Sequence, residues 1–248
     1  MSRAFKIIKR VIVLLFSLAV TAVIAVLLWR ILSSGDPKSM QVLSVDDRLA
    51  KSYENSGEEL YMFRQEQRSI TSGEDNYSYF AITNCVMIPE ANQIQTVVRY
   101  NNSTVKHTAE DFGLEQVPSR YDDIYDVTLL FAIDLTPDNE DDNLGNDPKS
   151  VRFVRCHGEV VLSDAKNMYN YRRLTFRLED AELELGELME SGLLLAVYAD
   201  FYYNGAIDYD ATPYGTLCLY DFKSENVTVE LEKKDIEAIE EYLVENGK

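Results

Sequence analysis

The sequence predicts a mainly β protein: an antiparallel β-sandwich of immunoglobulin-like architecture with a C-terminal amphipathic helix, preceded by one N-terminal transmembrane helix. Three observations carry this reading. A long uncharged apolar run lies near the N-terminus, about nine later segments alternate apolar and polar residues with period two, and one helical stripe closes the chain.

Residues 1–10 hold Arg3, Lys6, Lys9 and Arg10 and no acid. The run Val11 to Trp29 has only Ser17 and Thr21 as clearly polar side chains. At 1.5 Å per residue it spans about 29 Å, close to the thickness of bilayer hydrocarbon. A transmembrane helix over 11–32 is therefore expected, with Trp29 and Arg30 at the interface. The basic residues precede the span, which places residues 1–10 in the cytoplasm and the rest of the chain outside. The run ends in Leu-Leu-Trp-Arg-Ile-Leu, whereas the cleavage-like triplets Val20-Thr21-Ala22 and Val23-Ile24-Ala25 lie within it, so an uncleaved signal anchor is favoured. The expected location is a cell membrane crossed once. A bacterial surface is the simpler home, because the sequons at Asn76, Asn101, Asn102 and Asn226 are short patterns that chance produces often.

Residues 33–56 read as a linker: Ser-Ser-Gly-Asp-Pro opens it, and the mixed pattern from Val45 to Ser56 admits a short helix. Residues 57–248 then form the outer domain. Ile94, Thr96, Val98 and Tyr100 share one face of a strand against Gln95 and Arg99, with Asn101-Asn102 as a turn. Val127, Leu129, Phe131, Ile133 and Leu135 give the clearest alternation, and Val227, Val229 and Leu231 repeat it. Leu193 to Tyr203 is apolar on both faces, as in a central strand covered on both sides. Further strands are read over Leu60 to Arg64, Tyr77 to Ile88, Val151 to Leu162, Leu174 to Leu185 and Tyr214 to Phe222, with a β-bulge near Gly158, where the apolar parity changes. Ile236, Ile239 and Leu243 mark a helix over 233–246 whose stripe packs on the domain, and Gly247 stops it.

The chain of 248 residues carries 24 basic and 42 acidic side chains. The first 34 residues account for five of the basic ones, which leaves 19 against 42 and a charge of −23 from Gly35 onward. Such a surface repels nucleic acid and anionic lipid. The three cysteines, Cys85, Cys156 and Cys218, are far apart and odd in number, which excludes a disulfide framework, and each lies in a strand-like run where burial is expected.

No catalytic set and no cofactor site emerges from the spacing of residues. Thr216-Leu217-Cys218 resembles a fragment of the Thr-Leu-x-Thr-Cys motif of sortases, signal-anchored transpeptidases that use a cysteine, a histidine and an arginine in a β-barrel, and His107 precedes it in the order that resemblance implies. The second threonine is missing, however, and no arginine follows Arg177 to stabilise an oxyanion. Cys156-His157-Gly158-Glu159 alternates across a strand and does not converge on one metal ion. The segment 138–147 is rich in hard oxygen ligands, with Asp138, Asp141, Asn143 and Asp147 as calcium candidates, but it lacks EF-hand spacing and reads as a solvated hairpin loop. Among 16 tyrosines, Tyr202, Tyr209 and Tyr214 with Asp208 combine flat apolar rings and a carboxylate in a way that suits a sugar. The sequence is therefore read as a non-enzymatic surface domain that contacts another envelope protein or an envelope component. A carbohydrate-binding module for a surface glycan is the alternative, followed by a cell-surface hydrolase or sortase-like transpeptidase.

Overall fold

The structure, a computed structural model, describes residues 3–32, 35–65, 68–71, 78–135, 151–221 and 227–247. The chain divides into two compact units, Met1–Asp36 and Pro37–Lys248. In the first, α1 (Arg3–Leu32) is one unbroken helix. Its stretch Arg10–Trp29 is long and apolar enough to cross a membrane, and none of that surface is buried. Thr21 donates to the Ser17 carbonyl one turn back at 2.9 Å, so a polar side chain is satisfied without leaving the helix.

The second unit is mainly antiparallel β, as the alternation predicts. Its strands are β1 (Met62–Gln65), β2 (Arg68–Thr71), β3 (Ser78–Ile88), β4 (Gln93–Asn101), β5 (Tyr125–Asp134), β6 (Val151–Lys166), β7 (Tyr169–Arg177), β8 (Leu194–Tyr203), β9 (Gly215–Asp221) and β10 (Val227–Val229). They form one curled path, β10-β1-β3-β4-β7-β6-β5-β8-β9, with β2 paired to β3 off that path. The result is a half-barrel in place of the expected immunoglobulin-like sandwich, and β6 is the reason. Its first half pairs with β5, from Asp134↔Val151 to Thr128↔His157, and its second half pairs with β7, from Gly158↔Phe176 to Lys166↔Tyr169. One strand thus belongs to both halves of the sheet and carries its curl from one half into the other.

Gly158 sits where the partner changes. A Cβ at this position would lie 2.6 Å from the Phe176 ring, so the close approach requires glycine. The bulge expected near Gly158 is present a short step along the strand, between Val160 and Leu162. The strand read over 174–185 lies earlier, at β7, and Leu178–Ala181 is a 3-10 turn whose Leu178 is buried without belonging to a strand. Asn101 is not a turn residue. It caps helix α3 (Asn102–Asp111): its side chain accepts from the Thr104 N–H at 2.9 Å, and Thr104 accepts from the Asn101 N–H in return.

On the concave side, Phe80, Ile94, Leu129, Phe131, Phe176 and Phe201 form the main core. The convex side of β1, β3, β4 and β7 is covered by residues 37–60 and by helix α5 (Lys233–Glu245). Pro37–Ser56, read from the sequence as part of a linker, packs against the sheet. Met40 is buried on Val97 and Tyr171, and Leu49 of α2 (Asp47–Ser56) is buried with Leu60, Val86 and Ile239 of α5. Polar ties fix this strap. Asp235 accepts from the Leu43 N–H at 2.9 Å, and Gln95 accepts from the Ser44 N–H at 2.8 Å while donating to the Ser44 carbonyl at 2.7 Å. Beneath it Arg173 is buried, and loss of water pushes its guanidinium down to about 10, while the charge of Asp235 works in the opposite direction.

Cys85 and Cys156 are buried and unpaired, whereas Cys218 on β9, the last strand of the path, is exposed, contrary to the burial expected of it. Burial pushes both inner thiols up to about 12, and Asp180 adds to the effect at Cys156. At pH 8 they remain protonated, and the thiolate is the reactive form. A maleimide added to the native protein should therefore modify Cys218 alone, with Cys85 and Cys156 joining only in denaturant. Peptide mass spectrometry that finds label on Cys85 or Cys156 of the native protein would contradict this core assignment.

Candidate functional site

The proposed tyrosine site does not assemble as one platform. Tyr202 lies on the convex face of β8 and is only 3 % exposed, because Tyr209 folds over it with ring centroids 5.1 Å apart. Tyr209 donates to Asp126 at 2.7 Å, Arg155 donates to the Tyr209 carbonyl at 2.8 Å, and the His157 ring lies 5.0 Å away. Burial, reinforced by the Asp126 carboxylate, raises the Tyr209 hydroxyl to about 12, so it stays a proton donor. Asp208 accepts from the Asp210 N–H at 3.0 Å and shapes the loop. Tyr214 points elsewhere: it donates to Asp111 at 2.9 Å and its ring packs near Phe80 and Phe112. The structure therefore brings Tyr202 and Tyr209 together as a packed pair and separates Tyr214 from them.

The calcium candidates Asp138, Asp141, Asn143 and Asp147 lie outside the described residues. Among the described residues no group of three or more His, Cys, Asp or Glu side chains could hold a metal ion. The residues that suggested a sortase, Cys218 and His107, lie on different elements, and Arg177, the last arginine of the chain, lies on a third. Cys218 is on β9, His107 is on α3 beside Glu110 at 3.5 Å, and Arg177 ends β7 between Glu159 at 2.7 Å and Asp46 at 3.3 Å. Cys156 enters the core while His157 and Glu159 face outward, as strand alternation requires.

A different arrangement presents open polar groups. At one end of the concave face, loop 119–122 meets the ends of β4, β6 and β7 around a cleft of about 290 Å³ lined by Tyr100, Arg120, Tyr121, Ser163, Asn170 and Arg172, among others. Pairings Ser163↔Arg172 and Ala165↔Asn170 place these residues on the same side of the sheet as Leu174 and Phe176 of the core. The loop is held by its own bonds. Ser119 N–H donates to Asp122 at 3.0 Å, Tyr121 N–H to the Ser119 hydroxyl at 3.3 Å, and the Tyr100 hydroxyl to the Arg120 carbonyl at 3.2 Å. Arg172 is paired with the Asp123 carboxylate and the Asp122 carbonyl. Burial raises the Tyr100 hydroxyl above its ordinary range against the opposing pull of Arg172. Sequence reasoning missed this site because its residues come from three separated segments. The only local signal was the Ser119-Arg120-Tyr121-Asp122-Asp123 run, an aromatic residue among charges in a turn. Comparison with protein-family models, curated proteins and solved structures finds no match to this chain.

Proposed function

We propose that this chain is a single-pass membrane protein that holds its half-barrel domain outside the cytoplasm as a non-enzymatic binding module. The observation that carries the proposal is α1, whose stretch Arg10–Trp29 presents apolar side chains on every face with none buried. Such a surface is stable in water only when covered, and a bilayer covers a helix of this length completely. Arg3, Lys6 and Lys9 precede the stretch, Arg10 opens it, and together they hold that end in the cytoplasm. Binding is the reading for the outer domain because its open polar groups gather in a cleft, and the partner is an envelope protein or a surface glycan.

The test uses the full chain with tags at both ends. Membranes washed with alkaline carbonate should retain it, and protease added to intact cells should remove the C-terminal tag while sparing the N-terminal one. Release of the chain by carbonate, or a mature N-terminus just after Ala22 or Ala25, would overturn the anchor.

A further inference from the structure

We infer that the cleft beside Tyr121 binds a neutral carbohydrate, as one or two sugar rings of a glycan. The inference rests on the reading of the outer domain as a binding module and names the ligand class for that module.

The walls of the cleft supply what a sugar ring requires. Tyr121 is 68 % exposed, and the Arg120 guanidinium lies over one face of its ring, 4.7 Å from the centroid. Arg120 also donates to the Tyr121 hydroxyl at 2.6 Å and to the Asn167 carbonyl at 3.3 Å, which fixes the ring as an exposed platform. An aromatic face of this kind stacks on the C–H face of a pyranose. Asn170 lines the cleft from beneath: it is only 4 % exposed, and its Nδ2 is buried without a hydrogen-bond partner and without open surface of its own. An amide buried without a partner is unfavourable, so a small turn of this side chain toward a ligand oxygen that accepts from Nδ2 is favoured. Ser163, exposed on the adjoining strand, adds a hydroxyl that can donate or accept.

The charges select against other ligands. Arg172 is already neutralised by Asp123, and Arg120 is committed to Tyr121 and to the β6–β7 turn. Asp164 contributes to the lining, but its carboxylate turns to the strap side of β6, where it accepts from the Ala165 N–H at 2.7 Å and from the Ser39 hydroxyl. Asp122 and Asp123 stand with the two guanidiniums at the cleft, in a domain that carries −23 beyond residue 34. An anion gains little in such a field, and a cation meets two arginines at the entrance. A purely apolar ligand would strand Asn170 and Ser163. A neutral polyhydroxylated ring satisfies both and uses the Tyr121 face. The volume, about 290 Å³, lies at the lower bound of small-molecule sites and suits one or two rings. The bonds within loop 119–122 hold the platform in place before binding, so little ordering is required of the protein.

The test is made on the full chain in phosphatidylcholine nanodiscs, which avoids sugar-headed detergents. Glucose, galactose, N-acetylglucosamine and the tetramer of the last are titrated by calorimetry, alongside glucuronate and inorganic phosphate. Saturable binding of at least one neutral sugar is expected, and the tetramer against the monomer distinguishes a polymeric glycan from a free sugar as the source. Tyr121→Ala should weaken that binding at least tenfold, and Ala165→Trp, which fills the cleft from an exposed position, should abolish it with the melting temperature unchanged. The inference is overturned if no neutral sugar binds, if glucuronate or phosphate binds in preference, or if binding survives both substitutions and is lost in Tyr209→Ala instead. Absence of sugar binding by a chain that carbonate leaves in the membrane overturns the ligand class alone. Sugar binding by a chain that carbonate releases overturns the anchor alone.

Discussion

Replacing Gly158 with alanine is expected to destabilise the outer domain by about 3 kcal/mol, at the upper end of the range for overpacking a close-packed interior. The new Cβ would stand 2.6 and 2.7 Å from two atoms of the Phe176 ring, well inside van der Waals contact. A ring at the end of a flexible side chain could swing away. Phe176 cannot, because it is fully buried in the main core. The backbone must move instead, at the position where β6 leaves β5 and takes up β7. Denaturant unfolding of Gly158→Ala should show a lower midpoint with the slope preserved. In a Phe176→Leu background, where the offending ring atoms are gone, the added cost of Gly158→Ala should shrink markedly. Equal cost in both backgrounds would show that the corner, and not the ring contact, demands glycine.

Gly158 also shows how far the fold was legible. Period-two alternation located β3, β4, β5, β8 and β9 within a few residues, because one face of each meets a single core and the pattern records that contact directly. The closing helix was equally readable, since Ile236, Ile239 and Leu243 do pack on the convex side. What the pattern could not give was the partner of each strand. A parity change near Gly158 signals an irregular strand, but a sandwich edge and a half-barrel corner produce the same signal. Asn101 was misread for a related reason, because asparagine favours turns and helix N-caps through the same side-chain acceptor.

The candidate site was less legible than the fold. Tyrosine abundance pointed to β8 and the loop after it, where Tyr202 and Tyr209 do meet, yet their meeting buries Tyr202 and removes it as a platform. Tyr121 became a candidate only once loop 119–122 was seen against the ends of β6 and β7. Asn170 and Arg172 were hidden within a strand whose start the alternation missed, because polar residues at the open end of a curled sheet interrupt the apolar register that marks the rest of its concave face.

Gln95→Ala should lower the stability of the domain by about 3 kcal/mol, an effect that no alternation pattern foretells, since glutamine on the polar side of a strand ordinarily faces water. In this fold the polar side of β4 is covered, and Gln95 is buried. Its amide pairs with both backbone groups of Ser44 as a neighbouring strand would, at 2.8 and 2.7 Å, and its oxygen lies 3.5 Å from Arg173 Nη1. Truncation leaves a half-buried N–H and C=O on the strap without partners, each costing about 1–3 kcal/mol less what water recovers, and adds a cavity. Gln95→Leu separates these causes. It restores most of the volume and none of the hydrogen bonds, so it should remain nearly as unstable as alanine if the polar pairing holds the strap. Recovery to within about 0.5 kcal/mol of the parent would assign the effect to packing. Hydrogen exchange supplies the local readout, because the Ser44 amide should lose protection in both variants while amides of the main core keep theirs relative to global unfolding. The consequence extends along the strap to Ser39, whose hydroxyl donates to Asp164 of β6. A strap released at Ser44 loosens that tie as well, so the covering that makes β4 a buried strand also braces β6 from its convex side.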